Sequence, residues 1–360
     1  MIYERNVISS KKLEKDTNVM ASRIFIDPPY QDYYSDGLFD LTNNVLNRDD
    51  QLLPFHRLRE YMASKGSSVH TADYLLKDGE KDPLQSDYYS LGILSNFEYV
   101  LRERRARLAA FVIMEPPLVA PLIYKALPRL TSVFDRVYVH NTTGDGYSLA
   151  GVDVSKLYKF YWHIPYKNEL ESYWNNRKRM KRVVVVNGSH NPGAKSRELY
   201  SLRIKAMAEL STLGVVDLYG VGWNKWWLRR SMWLPYWRNR RTLMSIYKGA
   251  CKSKYEVLKD YDFCLCFENM VMDGYITEKL FDCLYAGTIP LYMGAPDICE
   301  YIPTEVFVDC RKYSSWIEIW NAVSSMPADQ ITHMREAGQA FLQSDMAKKY
   351  YHSIENICES

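Results

Sequence analysis

The sequence has no apolar run long enough to cross a membrane and no excess of basic residues. Its best apolar candidate, LAAFVIMEPPLVAPLIY, is interrupted by Glu115 and by prolines, whereas a spanning helix needs roughly 18 to 20 apolar residues. The first residues, MIYERNVISSKKLEKD, lack the apolar core of a secretory signal. Lys and Arg number 46 against 43 Asp and Glu, which argues against a dedicated nucleic-acid binder. We therefore expect a cytoplasmic protein without a nucleic-acid partner.

The seven cysteines contain no CxxC pair, and all of them lie in the last third of the chain. Cys264 and Cys266 are two residues apart in an apolar run, which places both on one face of a strand as small hydrophobic side chains. We expect structural thiols rather than metal ligands, and this fits a reducing compartment.

What the sequence does contain is an alternation of short apolar runs with helical patterns over its 360 residues. This order is typical of βαβ units and parallel sheets, and the length suggests about two domains. We predict an α/β protein with two Rossmann-like domains joined near 167–179 and a cleft between them. The expected division is 1–170, 171–340 and a C-terminal helix or tail over 341–360, for which packing back on the first domain is one option.

The same patterns predict individual elements. A helix over 54–65 should end at Gly66. Strands are predicted in the first half at 23–26, 68–70, 108–114, 136–140 and 157–162. The second half should contain the strands VVVVNGSH, VVDLYG, YDFCLCFEN, TIPLYMG and VFVDC, and helices near 198–210, 247–258, 313–324 and 328–342.

The segment 223–241, WNKWWLRRSMWLPYWRNRR, mixes five tryptophans with six Lys or Arg. Such mixtures suit a membrane interface or an aromatic binding wall. Packing in the protein interior or at a subunit contact, a mobile lid over a ligand, and peripheral membrane contact are all compatible with this composition.

A Glu-Lys pair stands at the start of a helix in FENMVMDGYITEKLFDCLYAGTIPLYMGAP, residues 267–296. The stretch predicts strand, loop, helix and strand, with Thr277 as the N-cap and Gly287 after the last helical turn. Glu278 and Lys279 then lie at the carboxyl edge of a parallel sheet, where α/β proteins bind ligands and where a helix N-terminus attracts anions. Lysine there fits phosphate, and glutamate fits ribose hydroxyls. The alternative is a capping glutamate beside a solvated lysine.

This stretch, together with the following EYIP and VFVDC, resembles the signature of glycosyltransferase family 10, the α-1,3/4-fucosyltransferases, and weaker matches extend over 108–325. The resemblance implies a two-domain GT-B enzyme that binds GDP-fucose in its C-terminal domain and inverts the anomeric centre. It implies that Tyr275, Glu278 and Lys279 contact the donor, with Glu278 on the ribose and Lys279 near the phosphates. It also suggests a donor site that includes Tyr219, Glu268, Asn269, Thr277 and His190. His190 is equally compatible with a role in satisfying a loop carbonyl.

The family also has a diphosphate-binding arginine seven residues before a helical leucine, ahead of a D-x-Y-G turn. Here Arg203 precedes Leu210 by seven and DLYG follows, so the resemblance favours Arg203 over Arg197, its rival on the same predicted helix. A planar guanidinium can bind phosphate oxygens with two hydrogen bonds and neutralise the charge that grows on departing GDP.

A further family feature is an E-S-P segment after an apolar strand of the acceptor domain. The matching FVIMEPP places Glu115 at a strand end, where partial desolvation would raise its pKa toward the range of a general base. The resemblance therefore implies that Glu115 deprotonates the acceptor hydroxyl, although a structural acid in a turn is the alternative. Proline replaces the family's serine here, Gly188-Ser189-His190 replaces a serine-asparagine pair, and FENM replaces FENS or FENT. These departures weaken any statement about the acceptor sugar.

We predict no obligatory metal. Asp260-Tyr261-Asp262 spells D-x-D but opens a strand instead of following one, and Arg203 and Lys279 can supply positive charge. The predicted partners are a nucleotide sugar and an oligosaccharide or glycolipid acceptor, fucosylated at O3 or O4 of GlcNAc or Glc. Two alternatives remain: a GT-B enzyme for another GDP-deoxyhexose, and a peripheral membrane or glycan-binding protein without activity.

Overall fold

The computed structural model of the protein describes residues 22–77, 85–176, 178–192, 196–224 and 233–359. Within these residues the chain forms two parallel six-stranded sheets flanked by helices. The strands are β1 Arg23–Asp27, β2 Ser68–Thr71, β3 Ser86–Ser90, β4 Arg107–Val112, β5 Arg136–Val139, β6 Leu157–Lys159, β7 Met180–Val186, β8 Val216–Tyr219, β9 Tyr247–Gly249, β10 Tyr261–Phe267, β11 Ile289–Met293 and β12 Val308–Asp309.

The helices alternate with these strands along the chain. They are α1 Leu53–Ser64, α2 Ala72–Lys77, α3 Phe97–Arg102, α4 Pro121–Lys125, α5 Leu127–Val133, α6 Glu171–Trp174, α7 Tyr200–Ser211, α8 Leu234–Ile246, α9 Lys254–Leu258, α10 Glu278–Ala286, α11 Trp316–Ser324, α12 Ala328–Leu342, α13 Asp345–Tyr351 and α14 Ser353–Glu359.

The first sheet has the strand order β2-β1-β3-β4-β5-β6, and all of its strands are parallel. Its central strand β4 is buried from Leu108 onward, as expected for a parallel strand covered on both faces. Helix α1 covers one face with Phe55, Leu58 and Met62, which are spaced to form a single apolar stripe. The helix ends before Gly66, as the sequence predicted.

The second sheet has the order β12-β11-β10-β7-β8-β9, which is the doubly wound Rossmann arrangement read from its other edge. The chain direction across the sheet reverses between β7 and β10, so a crevice opens outside their carboxyl ends. Cys264 and Cys266 of β10 pack with Cys283 of α10 in one apolar cluster, and all three thiols are free. This agrees with their prediction as small hydrophobic side chains.

The last helix returns to the first domain. Ile354 and Ile357 of α14 are buried in the same apolar cluster as Phe55 of α1. Arg57 of α1 lies 3.3 Å from a carboxylate oxygen of Glu355, and this ion pair is largely buried. The C-terminal helices therefore join the two sheets into one body.

Three local predictions were wrong. The strand β3 was missed because SDYYS is short and opens with polar residues, although it pairs with both β1 and β4. The helix predicted over 247–258 is instead strand β9, which pairs with β8, followed by the short helix α9. Gly249, with φ +105, ends the strand, and Ser253 caps α9 through its side chain. The strand predicted over 157–162 stops at Lys159.

Two aromatic side chains of the 223–241 segment pack inward. The Trp223 side chain is buried and donates a 2.7 Å hydrogen bond from Nε1 to the carbonyl of Asn187. Tyr236 is buried in the same cluster, and α8 packs against α7. Residues 225–232 lie outside the described residues, so the lid and membrane contact predicted for this segment stay predictions. In the described ranges, no helix has the length and apolarity that a membrane crossing requires.

Candidate functional site

A buried network joins the end of β10 to the start of α10. Glu268 follows β10 and is fully buried, and its carboxylate accepts 2.8 Å hydrogen bonds from the backbone amide and the hydroxyl of Thr277. The ammonium of Lys279 lies 2.8 Å from the Thr277 hydroxyl and 3.3 Å from the Glu268 carboxylate. Thr277 is the N-cap residue, as predicted, but its hydroxyl donates to Glu268 and makes no capping hydrogen bond to the helix. The network fixes Lys279 at the switch point of the second sheet.

The two residues of the Glu-Lys pair contact each other in the first turn of α10. The Lys279 ammonium lies 3.4 Å from a Glu278 carboxylate oxygen. Burial acts to raise the pKa of Glu278, but the charges of Lys279 and Lys254 outweigh it and lower that pKa. Burial acts to lower the pKa of Lys279, but Glu278 and Glu268 hold that pKa above its usual value. Both side chains are therefore ionised near neutral pH.

The second oxygen of the Glu278 carboxylate has no hydrogen-bond partner within the described residues, although it is buried. A buried unpaired acceptor is unfavourable by about 1–3 kcal/mol. Such an atom at a helix N-terminus is suited to accept a hydrogen bond from a ligand hydroxyl.

Arg203 of α7 lies beneath the same crevice. Its side chain is buried, and Nη1 donates to the Asn187 side chain at 2.5 Å. Nη2 donates to the carbonyls of Phe267 and Glu268 at 2.8 and 3.1 Å. Burial lowers the pKa of this guanidinium below its usual value. Arg203 thus ties together the chain segments that follow β7 and β10, the two strands at the switch point.

Arg197 does not lie on α7, contrary to the sequence-based expectation. It precedes the helix with φ +66, and it binds the Asp145 carboxylate of the first domain through both Nη atoms. The pattern could not show this because the partner lies on a distant loop. The structure therefore separates the two arginines: Arg203 belongs to the crevice, and Arg197 belongs to the contact between domains.

Tyr275 lies at the meeting of the two domains. It is buried, its hydroxyl accepts a 3.2 Å hydrogen bond from the Asn269 side chain, and its ring meets that of His140 edge-on at 4.7 Å. Leu118 of the first domain packs in the same apolar cluster as Tyr275. Asn269 and Tyr275 therefore lie together, next to the Glu268–Lys279 network.

Tyr219 and His190 were also predicted to belong to the donor site. The Tyr219 side chain hydrogen-bonds with Tyr261, which is at the amino end of β10, so its hydroxyl points away from the crevice. His190 follows β7, is exposed, and its ring lies 6.3 Å from that of Tyr200. It is not among the residues that line the two cavities described below.

Glu115 faces this network from the first domain. Its carbonyl accepts a 3.2 Å hydrogen bond from the Tyr124 hydroxyl, and the carbonyl of neighbouring Met114 accepts a 2.8 Å bond from His140. The side chain is exposed to the cleft, yet desolvation by the surrounding protein raises the pKa of its carboxyl. The positive charge of Lys279 acts in the opposite direction and lowers that pKa.

Two cavities adjoin these groups. A cavity of about 350 Å³, which we call the Glu115 cavity, is lined by Glu115 and by apolar and aromatic side chains of the first domain. A smaller cavity of about 40 Å³ is lined by Asn187, Arg203 and Lys279 of the second domain. The arrangement offers an anion-binding position on one side of the cleft and a carboxylate beside an apolar cavity on the other.

The residues of the D-x-D match have partners elsewhere. Asp262 pairs with Arg335 at 2.5 Å, and Asp260 accepts a 2.8 Å hydrogen bond from Asn176. The described ranges contain no group of three or more His, Cys, Asp or Glu side chains arranged to hold a metal ion. The predicted metal independence stays a prediction.

Some site residues were not found from the sequence. Asn187, Lys254 and His163 all border the network or the Glu115 cavity. Asn187 directly follows the VVVV strand, so its position at a strand end could have identified it. Lys254 and His163 carry no such signal, because Lys254 begins the short helix α9 and His163 lies in an irregular segment.

The two α/β domains face each other, and a crevice opens at the switch point of the second sheet. This architecture is the GT-B glycosyltransferase fold. Structures with this fold include an alpha1,3-fucosyltransferase, with TM-score 0.50 and 16% identity, which covers 97% of this chain and 93% of that one. They also include Anabaena Alr3699/HepE in complex with UDP, with TM-score 0.56 and 12% identity, covering 94% of this chain and all of that one. Residues 174–336 match the family model "Glycosyltransferase family 10 (fucosyltransferase) C-term". The second half of the chain is therefore similar to the C-terminal domain of family 10.

Curated relatives share shorter segments. Alpha-(1,3)-fucosyltransferase FucT of Helicobacter pylori is 39% identical over 67 residues, which are 19% of this chain and 14% of that protein. The GDP-fucose protein O-fucosyltransferase 3 of Homo sapiens is 30% identical over 156 residues, which are 43% of this chain and 28% of that protein. The matched segments thus span well under a third of these relatives. The predicted resemblance to family 10 and the predicted GT-B fold are confirmed.

Proposed function

We propose that the protein is an inverting fucosyltransferase, which moves L-fucose from GDP-fucose to a hydroxyl of an oligosaccharide or glycolipid. The observation that carries this proposal is the Glu278–Lys279 contact of 3.4 Å at the switch point of a domain that matches the family 10 model. Relatives and neighbours named for fucosyl transfer and for GDP-fucose support the choice of donor.

In this proposal, the donor diphosphate lies against Lys279 and the N-terminus of α10. The Lys279 ammonium binds phosphate oxygens, and the unpaired oxygen of Glu278 accepts a hydrogen bond from the ribose. Arg203 adds positive charge from below while it holds the loops after β7 and β10. Glu268 and Thr277 orient Lys279 toward the donor.

Tyr275 and Asn269 then form the wall of the donor site next to the first domain, where they hydrogen-bond to each other. His190 belongs to its outer rim, whereas the Tyr219 hydroxyl points away from the crevice. Lys279 and Arg203 supply the charge that stabilises departing GDP, so we propose that no metal ion is required.

The chemical step is a single displacement at C1 of fucose. Glu115 takes the proton of the acceptor hydroxyl as the new C–O bond forms, and the bond to GDP breaks with its electrons leaving on the phosphate oxygen. Desolvation raises the pKa of Glu115, which makes it a stronger base than a fully solvated carboxylate. Charge spread over C1 and the ring oxygen is expected in the transition state, as at other glycosyl centres.

A thermal-shift panel of GDP, UDP and CMP tests the donor, because only the nucleotide that binds the folded state should raise the melting temperature. Incubation with GDP-fucose and N-acetyllactosamine, lacto-N-biose or lactose, followed by mass spectrometry, tests transfer to O3 or O4. Stabilisation by GDP without use of GDP-fucose would favour another GDP-deoxyhexose. Glycan or vesicle binding without any turnover would instead favour a binding protein.

A further inference from the structure

His140 is a buried imidazole that directly follows β5, the strand next to β4. Its Nε2 lies 2.8 Å from the backbone carbonyl oxygen of Met114, the residue before Glu115. Because a carbonyl oxygen only accepts hydrogen bonds, Nε2 carries the proton and donates this one. The bond ties the end of β5 to the segment that carries Glu115.

The surroundings of His140 keep its ring uncharged. Burial and the nearby charge of Lys159 lower the pKa of His140 to about 3. In the neutral ring Nδ1 is an acceptor, and it is buried without a hydrogen-bond partner among the described residues. Within those residues the imidazole therefore makes one hydrogen bond, the one to Met114, and that bond selects the tautomer.

The same residue packs against the second domain. The His140 ring meets the Tyr275 ring edge-on at 4.7 Å and lies nearly parallel to that of Trp162 at 6.4 Å. The His140 carbonyl lies against Gly274, where an added Cβ would come within 2.2 Å of the carbonyl oxygen. Gly274 and Tyr275 belong to the loop that leads into α10. His140 therefore contacts both the segment of Glu115 and the side of the cleft where the donor is proposed to bind.

A second set of contacts links Glu115 to the residues after β5. The Tyr124 hydroxyl donates to the Glu115 carbonyl at 3.2 Å, and the Tyr124 ring lies 4.9 Å from that of Tyr147. The Tyr147 hydroxyl donates to the carbonyl of Asn141, whose side chain donates to the Asp273 carbonyl at 3.1 Å. The backbone around Glu115 is thus connected twice to the segment 140–147, which itself contacts the loop into α10.

We propose that His140 is a positioning residue, whose Nε2–H holds the Met114 carbonyl and so keeps Glu115 in place opposite the start of α10, while its ring rests on Tyr275. The proposal rests on the proposed function, in which Glu115 is the base. The contribution of His140 is geometric, since displacement of a reacting group by about 1 Å costs roughly 10²-fold in rate. His140 itself transfers no proton, because its one N–H is engaged by the Met114 carbonyl.

Two substitutions separate the hydrogen bond from the packing. His140→Phe keeps a ring against Tyr275 but removes the donor, whereas His140→Gln keeps an amide N–H near the position of Nε2. We expect kcat with GDP-fucose to fall about 10²-fold in His140→Phe, with the affinity for GDP within about twofold, and to recover about tenfold in His140→Gln. His56→Phe is the matched control, because it also removes an imidazole contact to a backbone carbonyl, that of Phe39, and it should keep the wild-type kcat.

The kinetics and the melting curves of these variants decide between positioning and a purely structural role. Equal kcat in the wild type and His140→Phe would overturn the proposal. A rise in donor KM without a change in kcat would assign His140 to the donor side and overturn it as well. If neither His140→Gln nor His140→Phe is folded, the imidazole is a requirement of the fold and the positioning role is rejected.

A second readout does not depend on turnover. The carboxyl carbon of Glu115, labelled with carbon-13 and identified by its loss in Glu115→Gln, is titrated by NMR in the full chain. Desolvation raises the pKa of Glu115, and the other charges that act on it, those of Lys279, Glu278 and Glu268, remain in every His140 variant. The midpoint should lie above 4.5 in the wild type and in His140→Gln, and should move toward 4.5 in His140→Phe as the carboxyl shifts toward solvent.

The same midpoint in all three proteins would show that His140 does not place the carboxyl, and would overturn the proposal. Absence of any GDP-fucose turnover by the wild type would count against the proposed function, whereas the titration would still decide whether His140 positions Glu115.

Discussion

The Asp145 carboxylate of the first domain accepts hydrogen bonds from both Nη atoms of Arg197 in the second domain, at 2.8 and 2.7 Å. The backbone amide of Asp273 donates to the same carboxylate at 2.8 Å. Lys159 of β6 donates from Nζ to the Gly274 carbonyl at 2.7 Å. The loop that leads into α10 is thus held by the first domain, so the position of the start of α10 depends on the contact between domains.

Gly274, in that loop, is where this contact is tightest. Its φ is +67, and an added Cβ would lie 2.2 Å from the backbone carbonyl oxygen of His140. Gly274→Ala should therefore force the domains apart and destabilise the protein by more than the roughly 1–2 kcal/mol of left-handed strain alone.

Gly214→Ala is a matched control for this substitution, because Gly214 has φ +68 and nothing within 4 Å of its added Cβ. Thermal melts of both variants isolate the clash from the strain. Equal melting temperatures would show that the two domains accommodate the added methyl group without a loss of stability, contrary to the expectation.

Replacing Glu115 tests the proposed base. Glu115→Gln keeps the shape of the side chain but cannot accept a proton, so transfer should fall by about 10²–10⁴-fold. GDP binding, measured by calorimetry, should stay within twofold, since Glu115 lies across the cleft from Lys279. Glu60→Gln, at an exposed glutamate of α1, is the control. Retained transfer in Glu115→Gln would remove Glu115 from this role.

The pH profile gives a second test of the same group. The base must be ionised, so kcat/KM for the acceptor should rise with pH and level off above the pKa of Glu115. Because burial raises that pKa, the midpoint should lie above the ordinary value of 4.5. Lys279 is held protonated over this range by Glu278 and Glu268, so it should add no second step. A midpoint at or below 4.5 would contradict the assignment.

Lys279 should act on donor binding. Lys279→Ala removes a charge-assisted contact worth about 1.5–3 kcal/mol, so the donor KM should rise roughly 10- to 150-fold. It also leaves Glu268 and Glu278 without their shared cation, so melting curves are needed alongside the kinetics. Lys348→Ala, at a surface ion pair of α13, is the control. An unchanged donor KM would argue against phosphate contact.

Local sequence determined the elements around the proposed donor site. The apolar run of β10, the pattern of α10 and the glycine at 287 predicted a strand, a helix start at Glu278 and its end, and the structure has all three. The helix over 328–342 was predicted with its observed bounds. These predictions succeeded because periodicity reports which side of an element is buried, and capping residues mark its ends.

Tertiary structure decided which distant segments of the chain contact one another. Tyr88 and Tyr89 became buried strand residues because β1 and β4 pair with β3 on both sides, and this pairing left no trace in the short polar-flanked sequence SDYYS. The ion pair of Arg197 with Asp145 and the edge-on contact of Tyr275 with His140 join segments far apart in the chain. Local propensity carries no record of such contacts, because they form only when the two sheets pack against each other.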